Sequence, residues 1–154
     1  MSPQAELELI NGLQRALDSQ RLRMVYQPKI SLRDGGLRQV EALVRWEDPE
    51  LGPVKPSQFV PLAEEHGLIH ELTQWGLRTI LKQWLEWRDQ GLDTCIAFNI
   101  SALSVQHLDF PDLVERMIVC GESWAAKRRK SCSTYSKVHP NVSDGNYRWA
   151  SSRT

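Results

Sequence analysis

Apolar residues recur along the first 118 positions in two rhythms, one of three and four residues and one of two. Between Ala5 and Asp18 the residues Leu7, Ile10, Leu13 and Leu17 keep helical spacing, which predicts an amphipathic helix. Leu22–Ile30 reads as a strand. The turn signal Asp34-Gly35-Gly36 follows, then a second strand over Gln39–Trp46, so the pair predicts a hairpin. Pro28 inside the first strand restricts its pairing and points to an edge or a bulge. The stretch from Asp48 to Pro56, with three prolines, reads as a loop. Ser57 is then a candidate cap for a short helix through Ala63 to His66, stopped by Gly67.

His70 to Gln90 carries the strongest helical pattern. Leu77, Leu81, Trp84 and Leu85 form its stripe, Ile80 and Trp87 widen it, and Gly91 supplies the stop. Thr94–Ile100 reads as a strand, and Pro111 sits where a first helical residue is tolerated, before Leu113, Val114 and Met117. Strand, helix, strand, helix in that order predicts an α/β layout with at least one parallel crossover.

After Ile118 the texture changes. Residues 119–154 contain no Leu, Ile, Phe or Met and include the run Lys127-Arg128-Arg129-Lys130. Such a segment lacks the apolar surface to offset about 1–2 kcal/mol of ordering entropy per residue, so disorder is expected. Charge reverses at the same place. The first 118 residues hold 12 Lys and Arg against 17 Asp and Glu, and the remainder holds 7 against 2, which together give the net charge of zero. A basic, aromatic-bearing tail could bind nucleic acid. The abrupt reversal and absent periodicity favour instead an out-of-frame or foreign extension, so nucleic acid is not an expected partner.

The overall composition, 41% apolar and 25% charged, is that of an ordinary soluble protein. No apolar run approaches the roughly 18 residues of a membrane span and no signal peptide is readable, so the cytosol is the expected compartment. Cys95, Cys120 and Cys132 have no paired spacing and are odd in number, which argues against a complete disulfide framework. His66 and His70 stand four apart, but Gly67 interrupts the turn between them, which argues against a helical metal pair.

Chemistry concentrates on the strands. Along Val40–Trp46, Ala42, Val44 and Trp46 face one way, and Glu41, Leu43 and Arg45 the other. Both faces carry apolar residues, so a strand covered on both sides is expected, with Glu41 and Arg45 on an interior face. There they are either a self-neutralising pair or part of a site. In Thr94–Ile100, Cys95, Ala97 and Asn99 share a face, and Asn99 offers an amide oxygen near the C-terminal end. The plainer role for Asn99 is in a turn, with Ser101 starting a short helix. Gln27 is a further long polar residue in an apolar stretch.

Taken together, Tyr26-Gln27-Pro28-Lys29, Glu41-Ala42-Leu43-Val44-Arg45-Trp46, Phe59-Val60-Pro61-Leu62-Ala63-Glu64-Glu65 and Phe98-Asn99-Ile100-Ser101-Ala102 resemble the EAL domain family in content, order and separation. The resemblance covers roughly Leu9 to Ile118. It implies a modified (β/α)8 TIM-like barrel with one antiparallel strand near its start. It also implies hydrolysis of cyclic di-GMP to the linear dinucleotide with two Mg2+ or Mn2+ ions. By the same resemblance Glu41 and Asn99 are metal ligands, while Gln27, Leu43 and Arg45 contact substrate.

A barrel of this kind needs about 250 residues. The family's later carboxylates, its Asp-Asp pair and its Lys have no counterpart after Ile118. The expectation is therefore an incomplete barrel, made of its first strands and helices (residues 1–118), followed by a disordered basic tail (residues 119–154). Catalysis by this chain is not expected, and the last strand should present an open edge that a homodimer or another protein would cover. The alternatives are a non-catalytic binding module derived from such a domain, or the product of a disrupted reading frame. Translating the encoding DNA in the other two frames past the codon for Ile118 tests the last. A Thr-Glu and an Asp-Asp segment are expected there, and their absence from both frames removes the frameshift explanation.

Overall fold

The computed structural model describes residues 2–19, 21–92, 94–106 and 109–117, together with the backbone of 137–138, 141–143, 146–149 and 151–152. Helix α1, Pro3–Asp18, starts where Ser2 caps it. The Ser2 hydroxyl accepts from the Ala5 N–H, Pro3 fills the first turn, and Glu6 and Arg15 match the two ends of the helix dipole. Its buried stripe is Leu9, Gly12, Leu13 and Ala16, while Leu7 is exposed. The helix is therefore rolled from the expected Leu7–Ile10–Leu13–Leu17 face. Gly12 favours the roll: a Cβ there would stand 3.0 Å from the Trp46 ring, a tight contact that the indole would have to yield to by a few tenths of an ångström.

Strands β1, Leu22–Ile30, and β2, Leu37–Asp48, form the expected antiparallel hairpin, with Gln27 opposite Glu41 and Arg23 opposite Arg45. The connecting turn is built by Asp34, whose carboxylate accepts from the Gly36 N–H at 3.0 Å and pairs with Arg38. Gly35 takes the positive φ of 68° that the turn requires. β1 lies at the sheet edge and its register shifts between Lys29 and Ile30, as Pro28 foretold.

A three-residue strand, β3 (Gly52–Val54), folds back on the end of β2 where the sequence reads as loop. Buried Asp48 makes that reversal by accepting from the N–H groups of Glu50 and Leu51. Helix α2, Pro56–Glu65, begins at Pro56 rather than at a Ser57 cap, and the Gln58 side chain accepts from the Lys55 N–H. Helix α3, Ile69–Asp89, crosses back to β4, Cys95–Ser101, which runs parallel to β2 over Gln39–Ala42. Ser101 caps the short helix α4, Ala102–Val105, and a further helix, α5, is described over residues 110–117.

The helices cover one face of the sheet. Trp46, Phe59, Leu13, Leu62 and Leu72 form one cluster among α1, α2 and the start of α3. Ala42, Leu77, Ile80, Ile96, Phe98 and Ile100 form another between α3 and the strands. Trp46 and Phe59 meet edge to face at 5.6 Å. The Glu41, Leu43 and Arg45 face is only half-buried and Asn99 is exposed, so among the described residues this strand is covered on one side, not two.

The expected open edge of β4 is also corrected. The backbone of Asn146–Trp149 lies antiparallel to Phe98–Ser101, with Asn141–Ser143 beyond it, and Lys137–Val138 pairs separately with Ser151–Ser152. An edge offers unpaired N–H and C=O groups to any extended segment that reaches it. The rest of the expected tail, including the basic run 127–130, Cys120 and Cys132, lies outside the described residues.

Two measurements follow from this packing. A Cβ at Gly76 would stand 2.4 Å from the Phe98 ring. Gly76→Ala is accordingly expected to cost about 1–3 kcal/mol, read as a lower thermal midpoint. Tyr26, edge to face with Trp87 at 4.8 Å, is held neutral up to about pH 12, by burial first and by Glu86 second. Because the fold disfavours the phenolate, with a pKa raised from 10 to about 12, stability is level below pH 10 and falls between pH 10 and 12. Its hydroxyl has no hydrogen-bond partner among the described residues. Tyr26→Phe should therefore raise stability by up to about 1 kcal/mol at pH 7 and flatten the alkaline loss, as urea titrations at the two ends of that range would record.

Candidate functional site

The half-buried sheet face gathers the polar residues. Three strands supply it: β1 through Arg23, Gln27 and Lys29, β2 through Glu41 and Arg45, and β4 through Ala97 and Asn99. Their two-residue alternation and the printed registers place them on one side.

Glu41 is the centre. One carboxylate oxygen lies 2.7 Å from Lys29 Nζ, and the other accepts from Asn99 Nδ2 at 3.3 Å. The Glu41 side chain keeps 15% of its surface exposed against 35% for Lys29. Glu41 is thus drawn into the sheet between strands on either side, while the ammonium reaches water. The ion pair at Glu41 is with Lys29, where one reading of the sequence paired it with Arg45. Arg45 Nη1 instead donates to the Val44 carbonyl at 2.8 Å.

Past Ala42 and Phe98 the pairing of β2 with β4 ends, and β2 turns to pair with β3. A cavity of about 160 Å³ opens in the gap, lined among others by Leu43, Arg45, Asn99, Ser101, Glu64 and Trp75. Its position is the C-terminal end of two parallel strands, where α/β barrels place their chemistry. Ser101 Oγ donates to Glu64 Oε1 at 2.5 Å and also accepts from the Leu103 N–H. The end of β4 is thereby tied to α2.

Every residue singled out from the sequence lies on this face or its rim: Glu41 and Asn99 in contact, Gln27 in register with Glu41, and Leu43 and Arg45 in the cavity wall. Sequence reasoning missed Lys29, Arg23 and Glu64. The first two were legible in principle, because they lie two and four residues from Gln27 and so share its face. Glu64 had no such signal, since its contact with Ser101 spans 37 residues. His66 meets Glu6 at 3.3 Å.

Asn99 and Glu41 offer the oxygen chemistry that hard divalent cations take. The Asn99 amide now turns its nitrogen to Glu41, and half a turn about its last bond exchanges nitrogen for oxygen. The two donors are of the type such an ion takes, and Lys29 is the cation now beside the carboxylate.

The family model for the EAL domain matches residues 10–127. The chain belongs to the EAL domain family. It is 40% identical over 117 residues to the bifunctional diguanylate cyclase/cyclic di-GMP phosphodiesterase MucR of Pseudomonas aeruginosa, which covers 75% of this chain and 17% of that protein. It is 45% identical over 96 residues to the cyclic di-GMP phosphodiesterase PdeR of Escherichia coli, covering 62% of this chain and 14% of the relative. Among solved structures, the MucR phosphodiesterase in complex with c-di-GMP superposes with a TM-score of 0.71 at 39% identity, over 75% of this chain and 47% of that one. The EAL chain thus spans less than a fifth of these curated relatives and about half of the solved chain. Over the matched part it has the TIM-barrel-like α/β fold of the EAL domains. None of its described helices is long and apolar enough to cross a membrane.

Proposed function

We propose that this chain carries the first part of a metal-dependent cyclic-di-GMP phosphodiesterase site. The observation that supports the reading is the convergence of Glu41 and Asn99 on the half-buried face, 3.3 Å apart across two strands of the sheet. In it, Glu41 supplies a charged oxygen ligand and Asn99 a neutral one to Mg2+ or Mn2+. When bound, such ions lower the pKa of water and offset charge at phosphorus. Arg45 has four guanidinium N–H groups besides the one given to Val44, enough to take a phosphate through two of them. Leu43, in the cavity wall, supplies apolar surface for a base, and Gln27, directly opposite Glu41, an amide for the ligand's polar edge.

Water can complete the roughly six oxygens around one ion held by Glu41 and Asn99, but these two side chains alone do not hold the second ion of a two-metal site. Hydrolysis by this chain alone is therefore not expected, and binding of the dinucleotide without cleavage is. Calorimetry with cyclic di-GMP in Ca2+ buffer tests it. Binding should be measurable and should weaken about tenfold or more in Arg45→Ala, the loss of a charge-assisted hydrogen bond. Absence of any heat in the parent chain refutes the ligand assignment. Appearance of the linear dinucleotide in Mg2+ buffer refutes the inactivity.

A further inference from the structure

The ion pair between Lys29 and Glu41 bears directly on how a divalent ion would reach this face. Lys29 Nζ stands 2.7 Å from one oxygen of Glu41, and Asn99 holds the other. An ion approaching the same carboxylate meets the ammonium a few ångströms away, and like charges that close repel. The ammonium is nevertheless easily moved. Lys29 lies on β1 at the sheet edge, beside the shift in register at Ile30, and keeps about a third of its side chain in water. Its four-carbon stem lets the charge swing outward without disturbing the strand.

We propose that Lys29 is a positioning residue for the metal site: a tethered cation that holds the Glu41 carboxylate in place and is displaced by the incoming ion. This rests on the reading of Glu41 and Asn99 as metal ligands and adds a control on their affinity. The ion pair and the ion compete for one carboxylate, so the strength of the pair subtracts from the affinity for the ion. It also sets an order of events, in which the ammonium leaves as the divalent charge arrives and becomes available to an anionic ligand on the same face.

Mn2+ binding to the full chain, followed by electron paramagnetic resonance of the free ion, tests the proposal without any turnover. Removing the charge in Lys29→Met or Lys29→Gln should tighten Mn2+ binding about two- to fivefold, the range of a partly exposed ion pair. Lys29→Arg, which keeps the charge, should bind as the parent does. Two variants guard against a misfolded one, and circular dichroism confirms the fold of each. Glu41→Gln should abolish Mn2+ binding in both the parent and the Lys29→Met background. If Glu41→Gln abolishes binding but Lys29→Met and Lys29→Gln leave it unchanged or weaker, the role of Lys29 is overturned and the metal reading stands. If Mn2+ binding survives Glu41→Gln, or is absent from every variant, the metal reading fails and the role of Lys29 fails with it.

Discussion

The carboxylate of Glu41 is held from both sides, by Lys29 on β1 and by Asn99 on β4, and that clamp exists only in one register of the sheet. With Gln27 opposite Glu41, the odd-numbered residues of β2 turn toward the half-buried face and Ala42 turns toward α3. A slip of one residue would send every side chain of the strand to the opposite face. Glu41 would then enter the layer of Leu77 and Ile80 without a partner, at a cost of several kcal/mol. The Asp34–Arg38 turn and the shift in register at Lys29 fix the hairpin locally, while the cost of burying that charge fixes it globally.

The helical layer answers the same alternation from the other side. Trp46 enters the space left by Gly12, and Phe98 the space left by Gly76, so α1 and α3 each sit on the sheet through a ring opposed to a glycine. Buried Thr73 adds a polar tie. Its hydroxyl donates to the Ile69 carbonyl at 2.8 Å and meets Ser104 Oγ at 2.9 Å, which joins α3 to α4 and so to the end of β4. The polar face is thus backed by elements with little freedom to shift.

Much of this was legible in the residues because it depends on short-range periodicity. The bounds of β1 agree with the strand read from Leu22 to Ile30, and α3 agrees within a residue of the His70–Gln90 pattern. The side on which Glu41, Leu43 and Arg45 lie follows from alternation alone. The resemblance to EAL domains supplied what alternation could not, that Asn99, 58 residues away, belongs beside Glu41. What escaped was set by packing or by distant contacts. β3 is three residues long and contains Pro53, too little pattern for a strand. The roll of α1 depends on the indole that Gly12 admits, and Leu7 fitted the helical period as well as Leu9 did. Covering on both faces was inferred from Leu43, yet one leucine beside a cavity does not make a second core.

The ring of Phe98 against Gly76 has a consequence for its neighbour. Asn99 leaves the backbone on the opposite side, so the notch in the outer helix works as an indexing pin for the amide beside Glu41. A bulkier residue at 76 would press on the ring, and so on the strand that carries Asn99. A change at the buried contact between helix and sheet can therefore detune the polar face while leaving every polar residue there in place.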